Sequence, residues 1–195
     1  MVSSPVQDPP APPSANGAAS SVAWPPGVDP VAVMKAPLFK DLTEAQVAKF
    51  LSRGVPRSFK AGENIITEGN TDTDVFVIFK GKVDIVKKLP PVLPGGPEGQ
   101  KTIVTLMYPQ FGIAAMGAPN MIGGTGRGTS VVAVEDTETI VLSKDTYEAL
   151  ALEDPLMGYY VTRNIATMIV KDLNDTNQRV VKLTQALTLA LQKKG

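Results

Sequence analysis

A glycine-rich run that ends at an arginine is the part of the sequence whose residue types come nearest to a binding site. Gly123-Gly124-Thr125-Gly126 precedes Arg127, so flexible backbone lies beside a permanent positive charge. Runs of this kind occur in loops that bind phosphate groups, but this one lacks the Gly-Lys-Ser/Thr ending of a P-loop. The P-loop interpretation is therefore excluded. Without a framework around it, Arg127 is predicted to be an ordinary solvated surface residue.

Catalytic chemistry has little support in the composition. The sequence contains no cysteine and no histidine. This excludes disulfides, thiolate nucleophiles, zinc sites built from cysteine and histidine, and Ser-His-Asp apparatus. The carboxylates of Glu135, Asp136 and Glu138 are predicted to lie on a strand and turn. At the solvent-exposed edge of a sheet they need no catalytic role. We therefore predict that the protein is not an enzyme and holds no metal or permanent cofactor.

The charge and hydropathy of the sequence limit the kinds of binding partner that we expect. Nineteen basic residues balance nineteen acidic ones, so composition implies no attraction to nucleic acid. No apolar run reaches the ~18–20 residues that a membrane span needs, and the N-terminus lacks the basic and apolar blocks of a signal peptide. The protein is predicted to be soluble and cytoplasmic, with no membrane span.

Three segments are predicted to make up the chain: a leader over residues 1–36, a β-rich domain over 37–150 and C-terminal helices over 151–195. The leader is rich in proline, alanine and serine, which cannot offset their ordering entropy by burial, so disorder is expected there. After Pro37, apolar residues within 42–51 predict a short amphipathic helix with Thr43 near its cap.

Short segments rich in valine, isoleucine and phenylalanine recur through the middle of the chain. Glycine residues separate them, which is typical of strands joined by turns and predicts an antiparallel sandwich, roll or barrel. The segments are 58–59, 64–67, 75–79, 83–86, 102–107, 129–134 and 139–142. The proline-rich stretch from Leu89 to Gly99 is predicted to be a long exposed hairpin loop.

Beyond Pro155 the apolar spacing changes to steps of three and four. This spacing predicts a long helix with one continuous apolar seam, and we favour parallel pairing into a homodimer over packing on its own domain. The seam residues are Ile165, Ile169, Leu173, Val180, Leu183 and Leu187.

The glycine spacing carries a resemblance to a known family. The motif Phe59-x-x-Gly62-x-x-Ile65-Ile66-x-x-Gly69 is followed by Val75-Phe76-Val77-Ile78-x-x-Gly81-x-Val83. With Tyr108-Pro109-Gln110-Phe111-Gly112 and Arg127-Gly128-Thr129-Ser130-Val131-Val132-Ala133, these motifs resemble the cyclic-nucleotide-binding domain. The resemblance covers about residues 37–150. It implies a mainly β fold, an antiparallel jelly roll or β-roll with an N-terminal helix and a long C-terminal helix.

In that family a phosphate-binding cassette lies between the last two motifs. The resemblance implies that Arg127 pairs with a cyclic phosphate and that a glutamate after Phe-Gly accepts from the ribose hydroxyl. Here Ile113 stands at the expected glutamate position, and Arg127 comes fourteen positions later, more than the family cassette usually allows. The predicted ligand-binding residues are Gly112, Ile113, Ala114, Arg127, Gly128, Thr129 and Ser130.

Two functions remain open at this point. The first is a regulatory sensor that binds cyclic AMP, cyclic GMP or a related phosphorylated ligand. The alternative is a degenerate, ligand-independent dimeric scaffold that docks an unknown protein partner. Family members that read DNA carry a helix-turn-helix after the long helix, and no residues are left for one here, so no direct DNA binding is expected.

Overall fold

The computed structural model describes residues 22–89, 99–108, 114–124 and 126–192; for residues 89, 99–108 and 114 the description is of the backbone alone. Its helices are α1 (Pro30–Met34), α2 (Glu44–Ser52), α3 (Ala118–Ile122), α4 (Lys144–Glu153) and α5 (Pro155–Gln192), with a 3₁₀ turn at Pro37–Phe39. Its strands are β1 (Val55–Phe59), β2 (Asn64–Ile66), β3 (Val75–Leu89), β4 (Gly99–Tyr108), β5 (Ala114–Met116), β6 (Ser130–Ala133) and β7 (Thr137–Leu142).

Strand β3 organises the sheet because it pairs with four other strands. Its first half pairs with β5 and β7, and its second half pairs with β4 and β6, all antiparallel. The remaining pairs are β1 with β7 and β2 with β6. The result is a curled antiparallel sheet flanked by helices, with a long helix at the C-terminus. The predicted fold class is confirmed.

A single strand replaces the two predicted segments at 75–79 and 83–86. The register of β3 on β7 shifts between Ile78 and Lys80, and Gly81 has a φ of 113°. A Cβ at Gly81 would lie 2.5 Å from Oγ1 of Thr137, so close approach also requires glycine there. At this glycine the strand bends and passes from one side of the roll to the other. The sequence pattern predicted a break between two strands at this point.

The hairpin that joins β3 to β4 agrees with the prediction at its two ends. The register runs from Gly81 opposite Tyr108 to Leu89 opposite Gly99. The predicted loop between these ends lies outside the described residues.

The predicted first amphipathic helix is confirmed as α2, and Thr43 is its N-cap. The Thr43 hydroxyl accepts from the backbone N–H of Gln46, and the Gln46 side chain accepts from the Thr43 N–H, which completes a capping box. Its buried face contributes Phe50, whose ring makes edge contacts with Phe39 and Tyr147 at 5.4 and 6.5 Å between centroids.

The hydrophobic core has two parts. The larger part lies between the sheet and the helices, where Leu38, Leu150 and Met157 are fully buried. The smaller part lies inside the roll and includes Ile66, Phe76, Ile78 and Val131; this is the part that borders the candidate site.

Residues 22–36, which belong to the predicted leader, pack on the domain. Asp29 caps α1 by accepting from the Val31 N–H, Val33 is fully buried, and Trp24 packs against the larger core. The packed part of the chain therefore begins before Pro37, because a few apolar side chains in a proline-rich segment suffice to dock it. Residues 1–21 lie outside the described residues, so their predicted disorder stays a prediction.

Helix α5 begins at Pro155, as predicted, and two side chains fix its first turns. The Nδ2 atom of Asn164 donates to the carbonyl oxygens of Leu38 and Lys40 at 2.9 and 2.7 Å. The Tyr147 hydroxyl on α4 donates to the Gly158 carbonyl at 3.0 Å. The preceding helix α4 crosses the domain boundary predicted at residue 150. In the described residues, no helix has both the length and the apolar character needed to cross a membrane.

Candidate ligand-binding site

A cavity of about 310 Å³ opens where α3 and the glycine-rich turn after it meet the start of β6. The described residues that line it are Ile66, Ile85, Met116, Gly117, Pro119, Asn120, Gly124, Gly126, Arg127, Gly128, Thr129 and Val131. Aliphatic side chains form one wall, and backbone rich in glycine forms the other. Arg127 is the charged residue among these lining residues.

The Arg127 side chain is buried, and protein atoms accept from every nitrogen of its guanidinium. Its Nε and Nη2 atoms both donate to Oδ1 of Asp72, the former at 3.0 Å, and Nη2 also donates to the Asp74 carbonyl at 2.6 Å. Its Nη1 atom donates to the Gly117 carbonyl at 3.3 Å and to Oδ1 of Asn120 at 3.5 Å. The five N–H donors of an arginine are thus all engaged.

The two edges of this guanidinium face different surroundings. Asp72 and Asp74 belong to the loop between β2 and β3, and neither lines the cavity. Gly117 and Asn120, which accept from Nη1, both line it. Nη1 is therefore the nitrogen that faces the cavity, and it has the longest hydrogen bonds.

Gly117 is where the arginine and the helix meet. Its φ is 82°, and a Cβ there would collide with Nη1 of Arg127 and lie 2.9 Å from the Asp74 carbonyl oxygen. Glycine is thus required both by its left-handed backbone and by the space that the guanidinium fills. Pro119 follows within the first turn of α3, a position that suits proline.

Backbone hydrogen bonds hold the arginine segment against the β2–β3 loop. The Arg127 N–H donates to the Asn70 carbonyl at 2.8 Å, and the Gly69 N–H donates to the Arg127 carbonyl at 2.9 Å. These bonds place the arginine at the edge of the cavity independently of its side chain.

A second charged group supports the other side of the cavity mouth. Nζ of Lys87 donates to Glu68 at 2.5 Å and to the Gly128 carbonyl at 2.7 Å. The Lys87 ammonium, with the N–H of Lys88, holds the pKa of Glu68 below its usual range. The Glu68 backbone N–H in turn donates to the Ser130 hydroxyl at 2.9 Å. This network fixes the backbone on the C-terminal side of Arg127.

The structure brings together only part of the predicted set of site residues. Arg127, Gly128 and Thr129 line the cavity, whereas Ser130 is buried behind it and bonded to Glu68. The backbone of Ala114 belongs to β5, opposite Ile78, and its side chain lies outside the description. Gly112 and Ile113 lie outside the described residues.

Sequence reasoning missed Gly117 and Asn120, which line the cavity and accept hydrogen bonds from Arg127. The helix in this segment begins at Ala118, directly after Gly117, and Ala118 itself is buried in the larger core. The local signal was Gly117-Ala118-Pro119, a glycine before a proline in a first helical turn.

Comparisons with known proteins agree with this geometry. The family model described as the cyclic nucleotide-binding domain matches residues 56–154. A protein named cyclic AMP receptor protein, from Thermus thermophilus, is 27% identical over 142 residues, which are 73% of this chain and 59% of that protein. The chain therefore matches less than two thirds of that relative's length.

Two solved structures share the fold. The crystal structure of the Thermus thermophilus catabolite activator protein has a TM-score of 0.62 at 27% identity, covering 76% of this chain and 63% of that one. A cyclic nucleotide-binding domain from Methylobacillus flagellatus has a TM-score of 0.61 at 24% identity, covering 73% of this chain and 75% of that one.

The described fold is a β-roll in which a short helix and a buried arginine border one cavity. The family model matches half of the sequence. The chain belongs to the cyclic nucleotide-binding domain family. The resemblance predicted from the sequence is confirmed.

Proposed function

We propose that this chain is a non-catalytic regulatory domain that binds a cyclic nucleotide, cyclic AMP or cyclic GMP, or a related phosphorylated small ligand. The observation that carries the proposal is the cavity beside Arg127 in a chain of this family. Its volume of about 310 Å³ falls at the lower end of small-molecule sites, and its aliphatic wall with one charged group is typical of them.

The cavity offers each part of such a ligand a different surface. Arg127 and the backbone at Gly128 suit the phosphate, and Ile66, Ile85 and Val131 suit the flat face of a base. The described lining residues include no carboxylate, and a buried ribose hydroxyl left unpaired would lose about 1–3 kcal/mol, which corresponds to roughly ten- to a hundredfold weaker binding. The proposed site is therefore one of moderate affinity.

The output of the domain is proposed to pass through α5 and a second copy of the chain. Of the predicted seam, Ile165 is fully buried in its own domain, whereas the residues from Ile169 onward are exposed. Leu183 and Leu187 are 70% and 61% exposed, and together with Leu173 and Val180 they continue one stripe along the helix. A parallel homodimer would cover this stripe.

A specific observation favours the second candidate, a ligand-independent dimeric scaffold. All N–H donors of Arg127 already have protein acceptors, so an incoming phosphate must displace one of them. In this alternative, the arginine only ties the β2–β3 loop to the cassette, and an unknown protein partner binds the dimer.

Calorimetric titration of the full chain with cyclic AMP and cyclic GMP decides between the two. We expect binding at micromolar concentrations and a thermal shift that grows with ligand concentration. Thr129→Val, which removes a hydroxyl at the cavity without changing side-chain size, is expected to weaken binding several-fold. If neither nucleotide produced heat or a thermal shift, cyclic-nucleotide binding would be rejected, and a different phosphorylated ligand or the scaffold would be left.

A further inference from the structure

We propose that the Asn120 carboxamide is a built-in competitor of the ligand: it occupies the cavity-facing nitrogen of Arg127 in the empty site and is displaced when an anion binds. This inference rests on the proposed function and adds a residue that sets the affinity of the site.

Asn120 lies between the cavity and the Arg127 nitrogen that a ligand would contact, which is the position that a competitor needs. It lines the cavity, it is 8% exposed, and its Oδ1 accepts from Nη1 of Arg127 at 3.5 Å. Its Nδ2 donates to the Gly126 carbonyl at 3.0 Å, so the carboxamide bridges α3 and the glycine-rich turn. A Cβ at Gly124 would lie 2.9 Å from this same Nδ2, which shows how closely the turn wraps around the carboxamide.

Among the contacts of the guanidinium, the one to Asn120 is the easiest to replace. It is the longest, and its acceptor is neutral, whereas the opposite edge donates to the carboxylate of Asp72. An anionic acceptor adds the attraction between opposite charges, which a neutral amide oxygen does not supply. An anion in the cavity therefore exchanges a weak neutral acceptor for a strong charged one while Asp72 keeps the guanidinium in place.

Removing the competitor has an effect opposite to that expected for a residue that helps to bind the ligand. With Asn120→Ala, Nη1 no longer has to release the carboxamide, so the affinity for cyclic AMP should rise, by about fivefold if one long hydrogen bond to an uncharged acceptor is spared. With Asn120→Asp, a carboxylate takes the same place, and binding should fall at least tenfold because the competitor is charged.

Titration calorimetry with cyclic AMP and cyclic GMP tests this on the full chain, with each variant checked for cooperative thermal unfolding. Met116→Ala is the matched control, because it enlarges the same cavity without touching Arg127. We expect no gain in affinity from it. Asn120→Ser is a second variant that removes the carboxamide but keeps a polar side chain, and the same tightening is expected.

The outcomes separate this inference from the function on which it rests. Equal or weaker binding by Asn120→Ala and Asn120→Ser would overturn it, and so would equal tightening by Met116→Ala, which would indicate added space. Binding by Asn120→Ala alone, with an inert unaltered chain, would support the competitor and reject the sensor function of that chain. If no variant binds either nucleotide, both proposals fail.

Discussion

Arg127 serves the cavity and the stability of the domain through the same guanidinium group. Its donors join the β2–β3 loop at Asp72 and Asp74 to the cassette at Gly117 and Asn120. A residue placed to meet a phosphate would ordinarily have spare donors. Here the same side chain holds together two loops that are far apart in sequence, so changes to it are expected to affect folding as well as the proposed binding.

We expect Arg127→Ala to lower the free energy of unfolding by about 2–4 kcal/mol. The reason is that partly buried carbonyl oxygens at Asp74 and Gly117 lose their donor, and an unpaired buried acceptor costs up to about 1–3 kcal/mol. Urea unfolding followed by circular dichroism measures the change. Arg57→Ala is the control, since Arg57 is exposed on β1, and its effect should stay within about 0.5 kcal/mol. Equal stability of the two variants would contradict this role.

Gly117→Ala is expected to destabilise the domain by about 2–3 kcal/mol. The left-handed φ disfavours alanine, and its methyl group would displace the Arg127 guanidinium. Gly128→Ala provides the contrast in the same cassette, because a Cβ there meets nothing within 4 Å and the backbone is not left-handed. Differential scanning calorimetry should show a lower Tm for the first variant and little change for the second.

The position of Arg127 was predictable, but the start of the cassette was not. The segment Arg127-Gly128-Thr129-Ser130 precedes a valine-rich strand, and its resemblance to the family motif singled out this arginine. Gly117-Ala118-Pro119 carries the signal of a first helical turn, but residue types alone do not link Gly117 to Arg127. That contact depends on the tertiary fold.

At the scale of elements, Asp154 joins three helices. Its Oδ1 accepts from the Met157 N–H in the first turn of α5, and its Oδ2 accepts from Nε2 of Gln46 on α2. Its own backbone N–H donates to the carbonyl oxygen of Leu150, near the end of α4. The bond from Gln46 and then the bond from the Met157 N–H hold the pKa of Asp154 below its usual range.

The contribution of Asp154 to stability should disappear in acid. Because the pKa is lowered in the folded chain, the contribution is complete above the ordinary aspartate pKa and is lost as the pH falls through the lowered value. We expect Asp154→Ala to cost about 1 kcal/mol at pH 7, a typical value for a lost N-cap, and less at pH 2. Urea unfolding at the two pH values measures this; Asp154→Asn, which can still cap, should cost less at pH 7. An equal cost of Asp154→Ala at both pH values would contradict the assignment.

The exposed stripe of α5 leads to a prediction about association. Leu183→Glu places a charge in the middle of the stripe and is expected to shift the protein from dimer to monomer in sedimentation velocity. Gln185→Glu adds the same charge two residues away, off the stripe, and should leave the mass unchanged. A monomeric mass for the unaltered chain at micromolar concentration would refute the homodimer.

The elements were largely predictable because their signals are local. Thr43 with Gln46 marked the start of α2, and the steps of three and four after Pro155 marked α5. Packing partners were less predictable: Val33 in the predicted leader and Ile165 in the predicted seam are both fully buried in the domain. A periodic pattern shows which face is apolar but not what covers that face.

At the scale of the whole molecule, α5 extends well beyond the domain that anchors it. Side-chain burial on the helix ends at Ile165, although the helix continues to Gln192. In proteins most helical stability comes from packing an apolar face, and most of this part of α5 is exposed. In the proposed dimer, the partner helix supplies the missing contacts.

Amide protection along α5 should therefore depend on protein concentration. We expect slow hydrogen exchange up to about Ile165 at any concentration, because that part packs on its own domain. Beyond Ile169, exchange should slow as concentration rises and more dimer forms. Mass spectrometry of peptides from the two parts measures this, and protection beyond Ile169 that does not change with concentration would contradict it.

The pairing of β1 with β7 also sets the order in which the chain can be completed during synthesis. Val55 pairs with Val141 and Phe59 with Thr137, so the first strand has no partner until the seventh has left the ribosome. Domains tend to fold as units, and contacts distant in sequence form slowly. The roll should therefore close only after β7 has emerged. A ribosome stalled before Leu142 would hold a chain whose opening strand is still unpaired.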